Sequence, residues 1–485
     1  MNLFRTKPVQ AVMDADAAAP GEVTLHRALS ARHLVALGIG AVIGAGIFVL
    51  TGHAAATHAG PAVVLSFVIA GIACGLAGLC YAEFASMLPV SGSAYSYAYA
   101  TLGELVAWFI GWMLVLEYTF AAATVSVGWS GYFTGLLDSI GKGVGMSLAL
   151  PAALTSAPLN VVDGRLVPTG ALINLPAVAI ATAIAALCYR GITQSAFVNS
   201  IIVLIKLVVI FLFMGFSLQF IDTSNWHPFI PESQGPGRFG WDGVLRGASI
   251  VFFAYIGFDA VSTAAQETKN PQRDMPIGIL GSLFICTLIY IAMSAVMTGI
   301  MPYSMLGTPK PVATALELYP SLAWLKTVVE VGAIAGLSSV ILVMMVGQPR
   351  IFYSMARDGL IPPMFGRVHP RFRTPHVGTV VVGITAVVLA GLLPIGTLGE
   401  LVSMGTLLAF ATVCIGIPVL RRTRPDLQRA FRVPAAPLVG TLGAAACIYL
   451  FFQSFKENWH WMLGWIVIGL LIYAGYGRRH SKLNG

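Results

Sequence analysis

The stretch Gly38-Ile39-Gly40-Ala41-Val42-Ile43-Gly44-Ala45-Gly46-Ile47-Phe48-Val49 decides the fold. It sits in an apolar run long enough to cross a membrane, yet four of the nine residues from Gly38 to Gly46 are glycine. A glycine inside a helix costs about 1 kcal/mol relative to alanine. The run therefore marks either a break or a close approach to another element. A break in mid-membrane bares N–H and C=O groups, which is tolerated only where protein or ligand meets them. A half-helix restarting near Gly46 would aim its free N–H groups and positive dipole end into the gap, a seat for a carboxylate. Tight helix packing through the small-xxx-small spacing of Gly40 and Gly44 is the other reading, and both stay open here. The run also looks like a dinucleotide fingerprint, but its third glycine is misplaced and no βαβ pattern surrounds it.

The rest of the composition agrees with a membrane setting. Of 485 residues, 57% are hydrophobic and only 10% charged, against about 25% charged in soluble domains. That excludes an ordinary cytosolic enzyme, a secreted domain and a disordered chain. The 52 glycines suit close-packed membrane helices. A net charge of +8 is compatible with nucleic-acid binding, but the bases sit between apolar runs, so topology accounts for them and no nucleic-acid partner is expected. All six cysteines (Cys74, Cys80, Cys188, Cys286, Cys414, Cys447) lie in apolar stretches without a CxxC pair. They read as small hydrophobes, neither disulfides nor metal ligands. The nine histidines are scattered with no HExxH pair, and no Gly-Lys-Ser/Thr phosphate loop occurs. No metal, cofactor or ATP-driven step is expected.

About 20 apolar residues cross a bilayer core as a helix. Twelve such spans are read, at 33–57, 61–87, 98–135, 171–188, 196–220, 243–266, 276–300, 322–352, 377–393, 397–419, 437–455 and 459–476. The expectation is an all-α polytopic membrane protein, with the third and eighth spans long enough to tilt or extend beyond the bilayer. Residues 1–32 form an N-terminal segment without an apolar h-region, which reads as no cleavable signal peptide. Thr24 to Leu37 has an amphipathic pattern suited to the membrane surface. Residues 33–420 make a core, 421–436 a basic, Pro-rich loop, 437–476 two further helices and 477–485 a tail.

With twelve spans both termini share a side. Twenty of the 28 Lys and Arg then fall on that side, from Arg5 and Lys7 through Arg421, Arg422 and Arg424 to Lys482. Seven fall on the other (Lys142, Arg165, Arg238, Arg246, Lys310, Lys326, Lys456), and Lys206 is left inside a span. The positive-inside rule makes both termini cytoplasmic.

The sixth span, Phe252-Phe253-Ala254-Tyr255-Ile256-Gly257-Phe258-Asp259, also carries a mid-span glycine, beside an acid. It comes five spans after the first. Interrupted helices at matching places in two five-helix units point to a transporter site built from inverted repeats. Glu117, Lys206 and Asp259 lie deep in spans, where each charge costs about 2.5–3.5 kcal/mol or more. Groups removed from water favour their neutral form, so these three are candidates for loading and releasing a proton. A structural role stays open, Lys206 pairing with an acid or with backbone carbonyls. Glu83 and Glu104 read as interfacial, Tyr95, Tyr97 and Tyr99 as an interfacial aromatic belt, and Glu267 to Asp274 as a charged turn.

Several of these runs resemble one family. The Gly38–Val49 run resembles the first-helix signature of the amino acid–polyamine–organocation (APC) superfamily. Tyr81-Ala-Glu-Phe-Ala and Pro89-Val-Ser-Gly-Ser-Ala-Tyr-Ser-Tyr look like its second-to-third-helix signature. The run from Phe252 to Thr263 and that from Asn270 to Ile279 are similar to the cationic amino acid transporter subfamily, in its bacterial form. So are Gln348 to Leu360 and Ser403 to Phe410. The resemblance implies a leucine-transporter-type fold of five plus five inverted helices with two more at the end. It implies a substrate carboxylate on N–H groups near Gly44, Ala45 and Gly46, and an ammonium on carbonyls near Val42, Ile43, Phe253, Ala254 and Ile256. Phe253 matches a gate over the substrate. Lys206 matches a fifth-helix lysine of proton-coupled relatives, and Glu117 and Asp259 match acids tied to substrate or proton handling.

The expected function is proton-coupled uptake of L-amino acids by alternating access at the inner membrane, driven by the proton gradient and involving no catalytic residue. Met344 stands where animal members carry a small residue, which would shorten the side-chain pocket and favour small neutral amino acids such as alanine. A cationic or broad-range exchanger and a non-transporting sensor remain alternatives. A channel would need a continuous polar stripe, and a membrane enzyme a cluster of His, Asp or Ser at one depth; neither is found. The chain neither specifies nor excludes a small accessory membrane subunit beside the lipid.

Overall fold

The computed structural model describes residues 5–9, 12, 29–88, 90, 92–162, 165–191 and 196–484. Apolar helices dominate it. The long runs are Ala31–Met87, Glu104–Val144, Val198–Phe220, Gly240–Ser262, Pro271–Ile300, Pro320–Arg357, Ile395–Thr423 and Ala436–His480, with the shorter Leu175–Tyr189 and His376–Leu392 between them. Two of the long runs hold two crossings each. Gly60, at φ 60°, followed by Pro61 ends the first helix and opens Val63–Met87. In the last run Asn458 leaves helical geometry at φ −111° and ψ 19°. There the chain reverses: Gln453 bonds to Arg246 on one side of the protein, and Tyr473 to Glu104 on the other. Among the described residues this gives twelve crossings, the number read from the sequence. The Arg5 guanidinium donates to the Leu483 carbonyl at 2.9 Å, so the described ends of the chain share one face.

Several boundaries differ from the sequence reading. The third crossing does not start at 98. Ser93–Thr101 is a separate short helix, and Gly103, at φ 98°, turns the chain before Glu104–Val144 begins. Tyr95, Tyr97 and Tyr99 are each 1% exposed, so they are no interfacial belt. Tyr95 donates to Asp358 and Tyr99 to Glu104, beneath a strap in which Lys7 N–H meets the Tyr99 carbonyl. The surface helix read over Thr24–Leu37 lies outside the described residues as far as 28. From Ala31 onward it is the crossing itself, with Leu34 fully buried. The eighth crossing runs Ala323–Arg357, roughly 52 Å at 1.5 Å per residue, well beyond a core of about 30 Å. The connection before the fourth crossing carries one antiparallel hairpin, Leu159–Val162 with Arg165–Pro168.

The two acids read as interfacial are core groups. Glu104 accepts from Tyr99, Tyr473 and Ser481 and ties the C-terminal tail to the third crossing. Glu83 is fully buried and fixes the basic loop after the tenth crossing. Its carboxylate takes Arg421 through two donors at 3.0 and 2.5 Å and the Val433 N–H at 2.7 Å, with Arg429 at 3.4 Å. On the opposite face Lys310 and Lys326 surround Glu317. Partial burial alone would raise the Glu317 carboxyl; these two ammonium groups outweigh it and hold the group below the usual carboxylate range.

Removing one partner of a buried ion pair leaves the other charge uncompensated, at a cost on the order of 3 kcal/mol. Glu83→Ala is therefore expected to lower the melting temperature of the detergent-purified protein clearly. Glu83→Gln, which can still accept from Val433, should lower it less.

Candidate functional site

The first and sixth crossings both break at mid-depth. Ala31–Val42 stops at Ile43, which turns to ψ 100°, and the chain resumes as a π turn over Gly46–Leu50. In the sixth crossing Gly240–Val251 tightens into Phe252–Tyr255, Ile256 extends to ψ 135°, and Gly257 takes φ 114° before Ala260–Thr263. The structure shows the break of the glycine run and close packing beside it: a Cβ on Gly40 would stand 2.5 Å from Val203 and one on Gly44 3.2 Å from Val340.

The breaks lock into each other through glycine. A Cβ on Gly46 would stand 2.2 Å from the Ala254 Cα, and one on Gly257 would stand 2.8 Å from the Ala41 carbonyl oxygen. Each break thus uses a glycine to meet the other's backbone, closer than any side chain allows. Gly257 also needs its positive φ, which other residues rarely adopt.

Neighbouring crossings meet the carbonyls that the breaks expose. Lys206 is fully buried, and its ammonium donates to the Gly40 carbonyl at 2.7 Å and the Ile43 carbonyl at 2.9 Å. Of the two pairings left open for this lysine, the structure shows the one with carbonyls rather than with an acid. The Tyr290 hydroxyl lies 2.9 Å from both the Val42 and Ala254 carbonyls and so bridges the breaks. Tyr132 donates to Phe48 at 2.6 Å and Thr51 to Gly46 at 3.0 Å. Of the five carbonyls proposed for an ammonium, Ile43 thus already carries a side-chain donor, Val42 and Ala254 share the single Tyr290 proton, and Phe253 accepts the Ile256 N–H. A second lone pair remains on each.

Between the breaks lies a cavity of about 10 Å³, room for about one water. It is lined by Val42, Gly44, Ala45, Gly46, Phe253, Ile256 and Met344, seven of the nine residues singled out in the sequence. Ile43 and Ala254 sit behind it, engaged by Lys206 and Tyr290. Ala41, Val125 and Val340 complete the lining and were missed, as was Tyr290. The signal for Tyr290 was the single tyrosine of its span, among four serine and threonine hydroxyls. Valines in apolar spans gave none.

Asp259 and Glu117 form a second buried group. The Tyr118 hydroxyl donates to Asp259 at 3.0 Å. Glu117 lies on a π turn, Leu116–Phe120, fully buried within electrostatic reach of Asp259, and neither of its carboxylate oxygens has a hydrogen-bond partner among the described residues. Among the described residues neither acid pairs with Lys206.

A vestibule of about 260 Å³ opens beside the site on the face of the termini, lined by Leu29, His33, Glu267 and Arg350 and reaching Ala41 and Tyr118. The opposite path is closed. Gly52 packs on Pro311, His53 on Gly396 and Leu50 on Gly399.

Overpacking a tight contact costs about 1–3 kcal/mol or more, and the Gly46 contact leaves no space at all. Gly46→Ala is expected to lower thermal stability in detergent and to abolish uptake. Gly75→Ala, at a glycine with open space around its Cβ position, should leave both unchanged, which a paired melting and uptake assay checks.

The amino acid permease family matches residues 29–473. The chain is 45% identical over 483 residues to the methylthioribose transporter of Bacillus subtilis (strain 168), covering 100% of this chain and 99% of that one. It is 46% identical over 484 residues to the branched-chain amino acid permease BcaP of the same organism, again covering 100% and 99%. Against a vacuolar cationic amino acid transporter of Arabidopsis thaliana it is 39% identical over 404 residues, 83% of this chain and 61% of that one. With matches of this extent, the chain belongs to the amino acid permease family of the APC superfamily and is a multi-pass membrane transporter, not an enzyme.

Proposed function

We propose that the protein takes up neutral L-amino acids by proton-coupled alternating access across the inner membrane, with both termini cytoplasmic. The observation that carries this reading is the cavity between two broken helices. Its wall combines the glycine-rich restart at Gly44, Ala45 and Gly46 with an apolar half of Val125, Phe253, Ile256, Val340 and Met344. The restart suits a carboxylate. The carbonyls of the two breaks suit an ammonium. The apolar half suits an aliphatic side chain and offers no acid to a cationic one. Met344 limits the room, so small side chains such as alanine come first.

A branched-chain substrate is the second reading, favoured by the same aliphatic wall and by the relative named a branched-chain amino acid permease. Competition of labelled alanine uptake by alanine, valine, leucine, isoleucine, arginine and methylthioribose decides among them. Arginine competing best overturns the neutral preference. Methylthioribose competing best overturns the amino acid reading. Counterflow in proteoliposomes separates a carrier from a sensor of the same fold. Met344→Ala is expected to shift preference toward larger side chains by about tenfold, the worth of roughly 1.4 kcal/mol.

Proton coupling rests on Lys206, whose charge bears directly on the carbonyls of the first break. Asp259 and Glu117 are the further proton-handling candidates. Lys206→Ala is expected to abolish uptake driven by a pH gradient while binding, read by substrate-induced thermal stabilisation, persists. Full proton dependence in that variant would overturn the assignment.

A further inference from the structure

Two of the histidines that look scattered in the sequence meet one acid at the end of the first crossing remote from the termini. His53 and His58 are five residues apart, a spacing that an α-helix places on different faces. Here Ala55–Ala59 is a π turn, whose i→i+5 repeat brings such residues together. Their ring centroids lie 6.1 Å apart. Glu400 of the tenth crossing faces them, and one ligand-capable atom from each of the three falls within 4.8 Å of the others.

The surrounding bonds orient all three. His58 Nδ1 lies 2.7 Å from the Gly237 carbonyl. A carbonyl only accepts, so Nδ1 carries the proton and the Nε2 lone pair is left, the arrangement that fixes metal-bound imidazoles. Glu400 Oε2 takes Arg246 at 2.6 Å and the Asn458 amide, which leaves Oε1 for another partner. His53 Nε2 stands 3.1 Å from where a Cβ of Gly396 would be, one turn before Glu400 on the same helix face. Arg246 also pairs with Glu457 at 2.9 Å. Two carboxylates against one guanidinium give the cluster a fixed charge favourable to a cation.

We propose that His53, His58 and Glu400 bind a divalent transition metal of borderline softness, foremost Zn²⁺, through two imidazole nitrogens and one carboxylate oxygen. Two nitrogen donors and one oxygen with an open fourth position suit Zn²⁺ and its neighbours, and disfavour Ca²⁺ and Mg²⁺. The metal would join the first crossing to the tenth, on the face where His53 and Leu50 pack against Gly396 and Gly399. It would hold that side shut and slow any cycle that needs it to open. This gating consequence rests on the alternating-access reading; the binding itself does not.

The test uses the chelator-treated, full-length protein in detergent. Calorimetric titration with ZnCl₂ is expected to give one saturable site per chain, and CoCl₂ the visible absorption of a four-coordinate ion. His53→Gln and His58→Gln should each weaken binding by at least about tenfold, and the double variant should abolish it. Melting curves without metal establish that the variants fold. No saturable binding by the wild-type protein, or unchanged binding by a folded double variant, overturns the site. In proteoliposomes Zn²⁺ should inhibit wild-type uptake and spare His53→Gln. Binding without inhibition overturns the gating role and leaves the site standing.

Discussion

Within a bilayer a backbone carbonyl has no water to fall back on, and each one left unmet inside a protein costs about 1–3 kcal/mol. A helix meets its own carbonyls, so a helix broken at mid-depth needs donors from elsewhere. This chain breaks two, and much of its architecture serves them. The fifth crossing brings Lys206 to Gly40 and Ile43, the seventh brings Tyr290 to Val42 and Ala254, and the third brings Tyr132 to Phe48. Ammonium and phenol donors on long side chains can stand off and still reach. The helices that carry them therefore pack around the breaks without filling the gap between them.

The gap also depends on what is missing. Gly46 lets the first crossing touch the Ala254 backbone, and Gly257 lets the sixth touch Ala41. Because the contacts are reciprocal, moving one break drags the other with it. The cavity is consequently set by backbone geometry on two sides and by side chains on the rest. The aliphatic residues Val125, Val340 and Met344 are where a relative can alter substrate size without disturbing the breaks.

Much of this was legible in the sequence because the bilayer imposes strong rules. Span length has one dominant physical cause, and a glycine run in an apolar span has two, break and close approach, both of which operate here. The unread parts depend on distance in three dimensions. The helix Ser93–Thr101 fused with the third span because both are apolar, and only the positive φ of Gly103 divides them. Glu83 and Glu104 looked interfacial because their partners, Arg421 and Tyr473, lie more than 330 residues away. Val125 and Val340 were invisible because a valine lining a cavity and a valine facing lipid read alike. His53 and His58 looked unrelated because they form no HExxH pair, and nothing in the apolar run marks the π turn that brings them together.

The shape of the site also bears on which part of it moves. A cavity with room for about one water cannot take an amino acid unless a wall shifts. The half of the first crossing remote from the termini is clamped by Pro311, Gly396 and Gly399 against Gly52, His53 and Leu50. The other half, Ala31–Val42, has buried residues concentrated toward the break, and its early residues His33 and Leu37 border the vestibule. Its attachments include the Lys206 bonds to Gly40 and Ile43, the Tyr290 bond at Val42, the Gly257 contact at Ala41, and the close packing of Gly38 on Ser282 and of Leu34 on Gly278. The half-helix Ala31–Val42 is thus the one that borders open space, and the lysine ammonium sits where it breaks. Any change in the charge on that ammonium acts at the break itself, beside the vestibule.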